Sequence, residues 1–398
     1  MRRTRRTVLA ALAALCAPIL VSSSADARDD RAVPQAEVPL ETVLRVAAIP
    51  PLREVTWSPD GTTFAGILSE TSGGANGNGG AETGGQPARP QRLLIAWDGA
   101  TGAELWRQDL GALTETREAA TDESPDSSPS LSLESFAFHP DGGSLLLLGE
   151  GGLFQWTPGE AEVRRLTPVK NGPGPESEIE DPKWSPDGSK IAYVRANDLW
   201  VLEVASGVET RITSDGADNE ILNGKTDWVY WEELWGRDST GFWWSPDSRS
   251  IAYYRFDERE VPTYPVLDES GLQVEIRQQR YPKPGETNPT VSVAVVELAT
   301  GAVLDLHTGD PADSYLARVH WRPDSRVVAV ERLNRAQNRL EMLFCEPGTG
   351  VCHSVAEQTA ETWVNLADDF RFLPDGSFLW SDEGSGWRDL ARYDGLGR

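Results

Sequence analysis

Glu232 and Glu233 stand side by side in Trp231-Glu-Glu-Leu-Trp-Gly236, with Trp228, Tyr230, Trp231 and Trp235 around them. Two adjacent carboxylates repel each other, and a cation between them relieves that repulsion while making charge-assisted hydrogen bonds. In a chain with 62 acidic residues a bare Glu-Glu pair reads as solvated surface. The aromatic side chains change that reading, because they are too large to be exposed without a partner surface.

Other reactive residue types point elsewhere. Cys345 and Cys352 flank Glu346-Pro-Gly-Thr-Gly-Val351, where Pro347, Gly348 and Gly350 supply turn chemistry between two strand-like arms. A hairpin there sets the sulfurs opposite each other, and in an oxidising compartment they form a disulfide; the alternative is two free thiols. His353 is the one obvious third ligand nearby, too few for zinc, and no cofactor is expected. His139, His307, His320 and His353 fall in turns or strands and read as structural or surface residues. No Gly-x-Ser-x-Gly elbow occurs; the nearest string, Glu383-Gly-Ser-Gly-Trp387, has the wrong glycine spacing and reads as a loop. The chain as given therefore holds no catalytic triad.

The elements that must position these residues are written in a repeat. Six times the chain spells an aromatic, any residue, Pro, Asp, then Gly or Ser: Trp57 to Gly61, Phe138 to Gly142, Trp184 to Gly188, Trp244 to Ser248, Trp321 to Ser325 and Phe372 to Gly376. Pro fixes φ, Asp bonds its own backbone, and Gly or Ser completes a tight turn. The aromatic is expected to pack between neighbouring sheets. Strands such as Ile191 to Val194 follow the turns, and second strand-turn units such as Leu199 to Gly207 come next, giving about four strands per unit. The anchors lie 81, 46, 60, 77 and 51 residues apart, against about 40 to 50 per propeller blade before insertions. The fold class is all-β, a β-propeller of four-stranded blades, with six or slightly more blades present. Ser72 to Pro90 and Thr114 to Pro129 lack packing residues and read as flexible surface excursions. The chain stops 22 residues after Gly376, inside a blade, so residues 51–398 are expected to be a C-terminally truncated propeller.

Around the Glu pair the text is least repetitive. Asn223 to Tyr230, Trp231 to Gly236, Gly241 to Asp247, Asp257 to Pro262 and Arg280 to Pro289, in that order, resemble the double-glutamate region of dipeptidyl peptidase IV-type enzymes in the prolyl oligopeptidase clan of serine peptidases. Weaker blade-by-blade similarity runs over nearly the whole chain. The resemblance implies a propeller of about eight blades before a C-terminal α/β-hydrolase domain that is absent from this chain. It implies that Glu232 and Glu233 bind the free ammonium of a peptide's N-terminus, with Trp235 as a subsite wall, so that only the bond after the second residue, a Pro or Ala, reaches the nucleophile. Peptides with a free N-terminus are then the substrates, and a homodimer the form of the full-length enzyme. Two departures stand out. Trp231 occupies a position where relatives often carry a polar or acidic residue. The substrate-contacting Arg that some members draw from an earlier blade has no motif-level match, although Arg164 and Arg165 lie in that broad region.

Residues 1–27 read as a signal peptide: a basic start with Arg2, Arg3, Arg5 and Arg6, an apolar run from Val8 to Val21, and small Ala25 and Ala27 before a cleavage point. Thr4 to Leu9 also looks like a twin-arginine signal, so the export route stays open. The apolar run is short for a bilayer span of roughly 20 residues, and residues 28–50 form a lead-in to the propeller. The net charge is −25, which repels phosphate backbones and anionic lipids and argues against nucleic acid as a partner. Two further functions compete with the peptidase portion: a noncatalytic propeller that binds peptide N-termini or a protein, and a purely structural periplasmic propeller.

Overall fold

The computed structural model describes residues 52–70, 91–115, 133–149, 152–168, 178–268, 274–312, 314–395 and 397. The signal peptide, the lead-in segment and the Ser72 to Pro90 excursion lie outside the described residues, as does the second excursion beyond Glu115. Among the described residues no helix is long and apolar enough to cross a membrane.

The fold is a β-propeller built of antiparallel blades, and the described chain falls into two compact units, 1–166 and 167–398. The first unit holds two blades. Arg53–Trp57, Thr63–Glu70, Gln91–Asp98 and Glu104–Asp109 pair in chain order, as do Leu133–Phe138, Leu145–Gly149, Gly152–Trp156 and Glu162–Arg165. Thr114–Glu115 adds a short parallel strand against Glu162–Arg165, so the start of the expected excursion belongs to a sheet. Ile67 and Leu94 of the first blade share a core with Leu145, Phe154 and Trp156 of the second.

The second unit holds the other four. Blade three is Glu180–Trp184, Lys190–Arg195, Asp198–Glu203 and Val208–Arg211; blade four is Phe242–Trp244, Ser250–Asp257, Thr290–Glu297 and Ala302–Asp305. Ile221–Asn223 also pairs with the far end of Ser250–Asp257. Blade five is Ser314–Trp321, Val328–Asn334, Arg339–Cys345 and Cys352–Thr359, and blade six contributes Arg371–Phe372, Phe378–Asp382 and Asp389–Tyr393. Ser250–Asp257 shows why inner strands read as continuous apolar runs. Ile251 and Tyr253 pack toward blade three while Ala252, Tyr254 and Phe256 pack toward blade five, so both faces are buried; each large side chain contributes about 1.5–3 kcal/mol. Cys345 and Cys352 face each other across the outer hairpin of blade five and are joined by a disulfide.

The repeated turns work as their composition implies. In blade three the Ser185 hydroxyl donates to Asp187 Oδ1 at 2.6 Å, and the same oxygen accepts the Ser189 amide at 2.9 Å. The fifth residue is left-handed in every copy: the glycines have φ between 70° and 84°, while Ser248 and Ser325 stand at 62° and 60°. Those two serines stitch blades together, because their hydroxyls accept the amides of Asp187 and Asp247 from the preceding turn, at 3.0 and 3.1 Å. Trp244 and Trp321 add a second stitch, donating their indole N–H groups to the carbonyls of Lys183 and Trp243. Trp57 departs from the expectation of inter-sheet packing. Its ring lies on Phe64 of its own blade and is 56% exposed, since the unit that contains it has no described earlier blade to receive the indole.

Candidate functional site

The Glu pair sits on an excursion between blade three and the first strand of blade four. Its neck is narrow. Lys225 and Thr240 form an isolated bridge, and a Cβ at Gly241 would lie 2.5 Å from the Lys225 amide nitrogen, so glycine alone lets the two backbones meet. Lys225 is held from blade three by Glu180, at 2.8 and 2.9 Å.

Beyond the neck, Asp227 organises the turn. Its buried carboxylate accepts the amides of Val229 and Tyr230 at 3.2 and 3.0 Å, and its carbonyl accepts the Trp231 amide. This is an N-cap arrangement. One π-type turn follows over Tyr230–Leu234, closed by the Trp235 amide on the Tyr230 carbonyl at 2.8 Å. Tyr230 points into the core between blades four and five, where its ring meets Phe256 at 4.7 Å and its hydroxyl oxygen accepts the Leu316 amide at 2.7 Å. With Tyr230 committed inward, Glu233 is left exposed and Glu232 half-buried.

The two carboxylates differ. Arg237 grips Glu232 with both arms of its fork, Nε to Oε2 at 2.9 Å and Nη2 to Oε1 at 2.8 Å, and holds that carboxyl below the usual range. Glu233 has no hydrogen-bond or ion-pair partner among the described residues. Trp235 is half-buried, with Trp243 beside it and the Arg318 guanidinium 4.4 Å from its ring. Arg318 in turn bonds Asp368 at 2.9 Å.

Beneath the turn lie carboxyls with altered acidity. Burial pushes Asp227 up to about 6, and Glu258, buried beside it, is pushed up to about 8 by desolvation and then by the Asp227 charge. Trp228 meets Trp231 at a tilt and Tyr281 edge-on, and it lines a cavity of about 330 Å³ with Tyr264, Val266, Gln279, Tyr281 and Lys283. Those residues belong partly to a protruding ribbon, Thr263–Asp268 paired with Glu275–Arg280.

Glu232, Glu233 and Trp235 therefore share one turn, while the Cys345–Cys352 disulfide staples the outer hairpin of blade five. Arg165, in the other unit, is bound to Glu115 at 2.6 Å and lies over Phe154. Sequence reasoning misses Asp227, Arg237, Arg318 and Leu316. Asp227 carries a legible signal, an Asp three residues before a buried aromatic. Arg237 carries none, because a π-type turn followed by left-handed residues follows no regular period.

Comparison with known proteins agrees with this architecture. Residues 156–398 match the family described as the dipeptidyl peptidase IV (DPP IV) N-terminal region. A probable dipeptidyl peptidase 4 of Aspergillus flavus is 30% identical over 244 residues, which cover 59% of this chain and 31% of that protein. The Emericella nidulans counterpart is 35% identical over 182 residues, 44% of this chain and 23% of its own length. The inactive dipeptidyl peptidase 10 of Rattus norvegicus is 32% identical over 208 residues, 51% of this chain and 26% of its own length. The chain thus spans less than a third of these relatives. The crystal structure of Porphyromonas gingivalis dipeptidyl peptidase 4 superposes with a TM-score of 0.68 over 90% of this chain and 48% of that one, at 24% identity, a likeness of fold.

Proposed function

Because the chain belongs to the dipeptidyl peptidase IV N-terminal region family, we propose that residues 51–398 are the substrate-gating propeller of an exported dipeptidyl peptidase IV-like serine exopeptidase. In this reading residues 1–27 are a signal peptide and residues 28–50 a lead-in. Glu232 and Glu233 bind the free ammonium of a peptide's N-terminus. The serine, histidine and aspartate that cut the chain belong to a hydrolase domain encoded beyond residue 398. With the ammonium fixed, the bond after the second residue is the one within reach of the nucleophile, so release of N-terminal dipeptides follows from geometry; the preference for Pro or Ala at that residue is carried over from the resemblance.

The observation that carries this reading is the turn itself: two adjacent carboxylates, one exposed and one half-buried, on a segment capped by Asp227 and pinned to blade five through Tyr230. A solvated surface pair needs no such anchorage. Trp235, half-buried against Trp243 and the Arg318 guanidinium at the turn's end, serves in this reading as a wall of the ammonium subsite. The protruding ribbon, with Leu267 and Ile276 paired across its strands and 59% and 65% exposed, offers the full-length enzyme a surface for homodimerisation.

The test is kinetic. In the full-length enzyme, replacing both glutamates by Ala lowers kcat/KM on free-amine Gly-Pro substrates by two orders of magnitude or more, on the order of what losing charge-assisted bonds costs. N-acetylation of the substrate causes a comparable loss in the wild type and little further loss in the double variant. Wild-type efficiency in the double variant refutes the reading. The rat relative, named an inactive dipeptidyl peptidase, favours one second reading, a noncatalytic propeller that binds peptide N-termini or a protein; a reading frame that closes at residue 398 without a hydrolase domain supports it.

A further inference from the structure

The two glutamates are built to do different things, and the residue that separates them is Arg237. Directly after the π-type turn the chain takes two successive left-handed residues, Gly236 at φ 58° and Arg237 at φ 74°. Glycine adopts that region freely, but an arginine there is strained, and an observed outlier of this kind calls for an explanation. The strain folds the backbone back on itself, so that the Arg237 amide reaches the Trp231 carbonyl and the guanidinium closes on Glu232 through two parallel bonds. The guanidinium carbon also lies 5.8 Å from the Trp231 ring. Arg237 is largely exposed, and an exposed ion pair contributes little to stability. Folding alone does not account for a strained arginine whose fork matches one of two adjacent carboxylates and leaves the other without a partner.

We propose that Arg237 is a positioning residue of the ammonium site: it orients Glu232 and cancels its charge, so that Glu233 is the principal acceptor of the substrate's ammonium. This rests on the reading of the pair as an ammonium site. The pair with its clasp carries one net negative charge, matched to a peptide whose N-terminus carries one positive charge. Glu232 then acts mainly by keeping the guanidinium occupied. Without it, Arg237 is a bare cation beside the position of the ammonium and repels it.

The experiment compares four forms of the full-length enzyme with Gly-Pro-p-nitroanilide and its N-acetylated counterpart. Glu233→Ala lowers kcat/KM by about a hundredfold and abolishes the preference for the free amine. Glu232→Ala lowers it by about tenfold, mostly through KM. Adding Arg237→Gly to Glu232→Ala removes the bared cation, raises kcat/KM severalfold above that of Glu232→Ala and keeps the preference for the free amine. Glycine suits the left-handed backbone at 237, so the melting temperature of the double variant is at least that of Glu232→Ala, and a failure to fold is separable from a failure to bind. A double variant no more active than Glu232→Ala overturns the proposal, since Glu232 then touches the substrate itself. Wild-type activity in Glu233→Ala, with no preference for the free amine in any form, instead overturns the ammonium reading on which it rests.

Discussion

The hydroxyl oxygen of Tyr230 accepts the backbone N–H of Leu316 at 2.7 Å, while the hydroxyl of Tyr254 donates to the carbonyl of the same residue at 2.5 Å. Leu316 lies at a bulge, where the pairing of Ser314–Trp321 with Val328–Asn334 slips between Leu316 and Arg318. The bulge gives the neighbouring blade access to both backbone groups of a buried residue. One of its two partners is the first residue of the turn that carries Glu232 and Glu233, so the position of the carboxylates is set by the backbone of blade five.

Tyr230→Phe keeps the ring and removes the acceptor, leaving a buried N–H without a partner. The expected loss is about 1–3 kcal/mol of unfolding free energy, measured by denaturant titration. A KM for free-amine substrates that rises in the same variant, with kcat unchanged, marks a turn displaced from its working position. A variant as stable as the wild type sinks the claim that this bond anchors the turn.

Acidity beneath the turn yields a pH-dependent stability. Asp227 and Glu258 have folded values raised to about 6 and about 8, above their ordinary values, so the folded protein holds these protons more tightly than the unfolded chain. Their contribution to stability is complete below the unfolded values and is lost as pH rises through the folded ones, for Glu258 between roughly pH 4.5 and 8. Asp227 and Asp218 raise Glu258, while Arg280 and Lys225 oppose them. Glu258→Gln mimics the protonated side chain. It is expected to match the wild type near pH 5 and to exceed it at pH 8 by on the order of 3 kcal/mol. Equal stability of the two proteins at pH 8 refutes the burial argument.

The disulfide closes a short loop, seven residues apart in sequence. Its reduction is expected to cost about 2 to 3 kcal/mol at most. Unreduced peptide mapping of the purified protein should find Cys345 and Cys352 linked. Two free thiols count against the hairpin chemistry.

The six aromatic-x-Pro-Asp phrases located all six described blades, because each phrase encodes a turn whose bonds close within five residues and need nothing from afar. The excursion bearing Glu232 and Glu233 was legible for the opposite reason, as text that breaks the repeat and concentrates tryptophan. What stayed hidden depends on backbone groups and irregular turns. Leu316 serves through its amide and carbonyl, which any residue possesses, and Arg237 reaches Glu232 only because two left-handed residues reverse the chain. Trp57 misled because its phrase is the same as the others while its surroundings are not.

Ser248 offers a comparison of two substitutions with opposite backbone consequences. Its φ of 62° is a left-handed conformation that a non-glycine residue adopts at a cost of roughly 1–2 kcal/mol. Its hydroxyl accepts the Asp187 amide of the preceding blade at 3.0 Å, and a bond of this kind returns about 1 kcal/mol. Ser248→Ala keeps the strain and loses the bond, so it should destabilise the protein by about 1 kcal/mol. Ser248→Gly loses the same bond but relieves the strain, and should leave stability within about 0.5 kcal/mol of the wild type or above it. The same contrast is expected at Ser325, which accepts the Asp247 amide at 3.1 Å. Denaturant midpoints for the four variants decide the matter: if Ala and Gly destabilise equally at both sites, the serines are not balancing strain against a stitch between blades, and the alternation of Gly and Ser at the fifth position of the repeat has another cause.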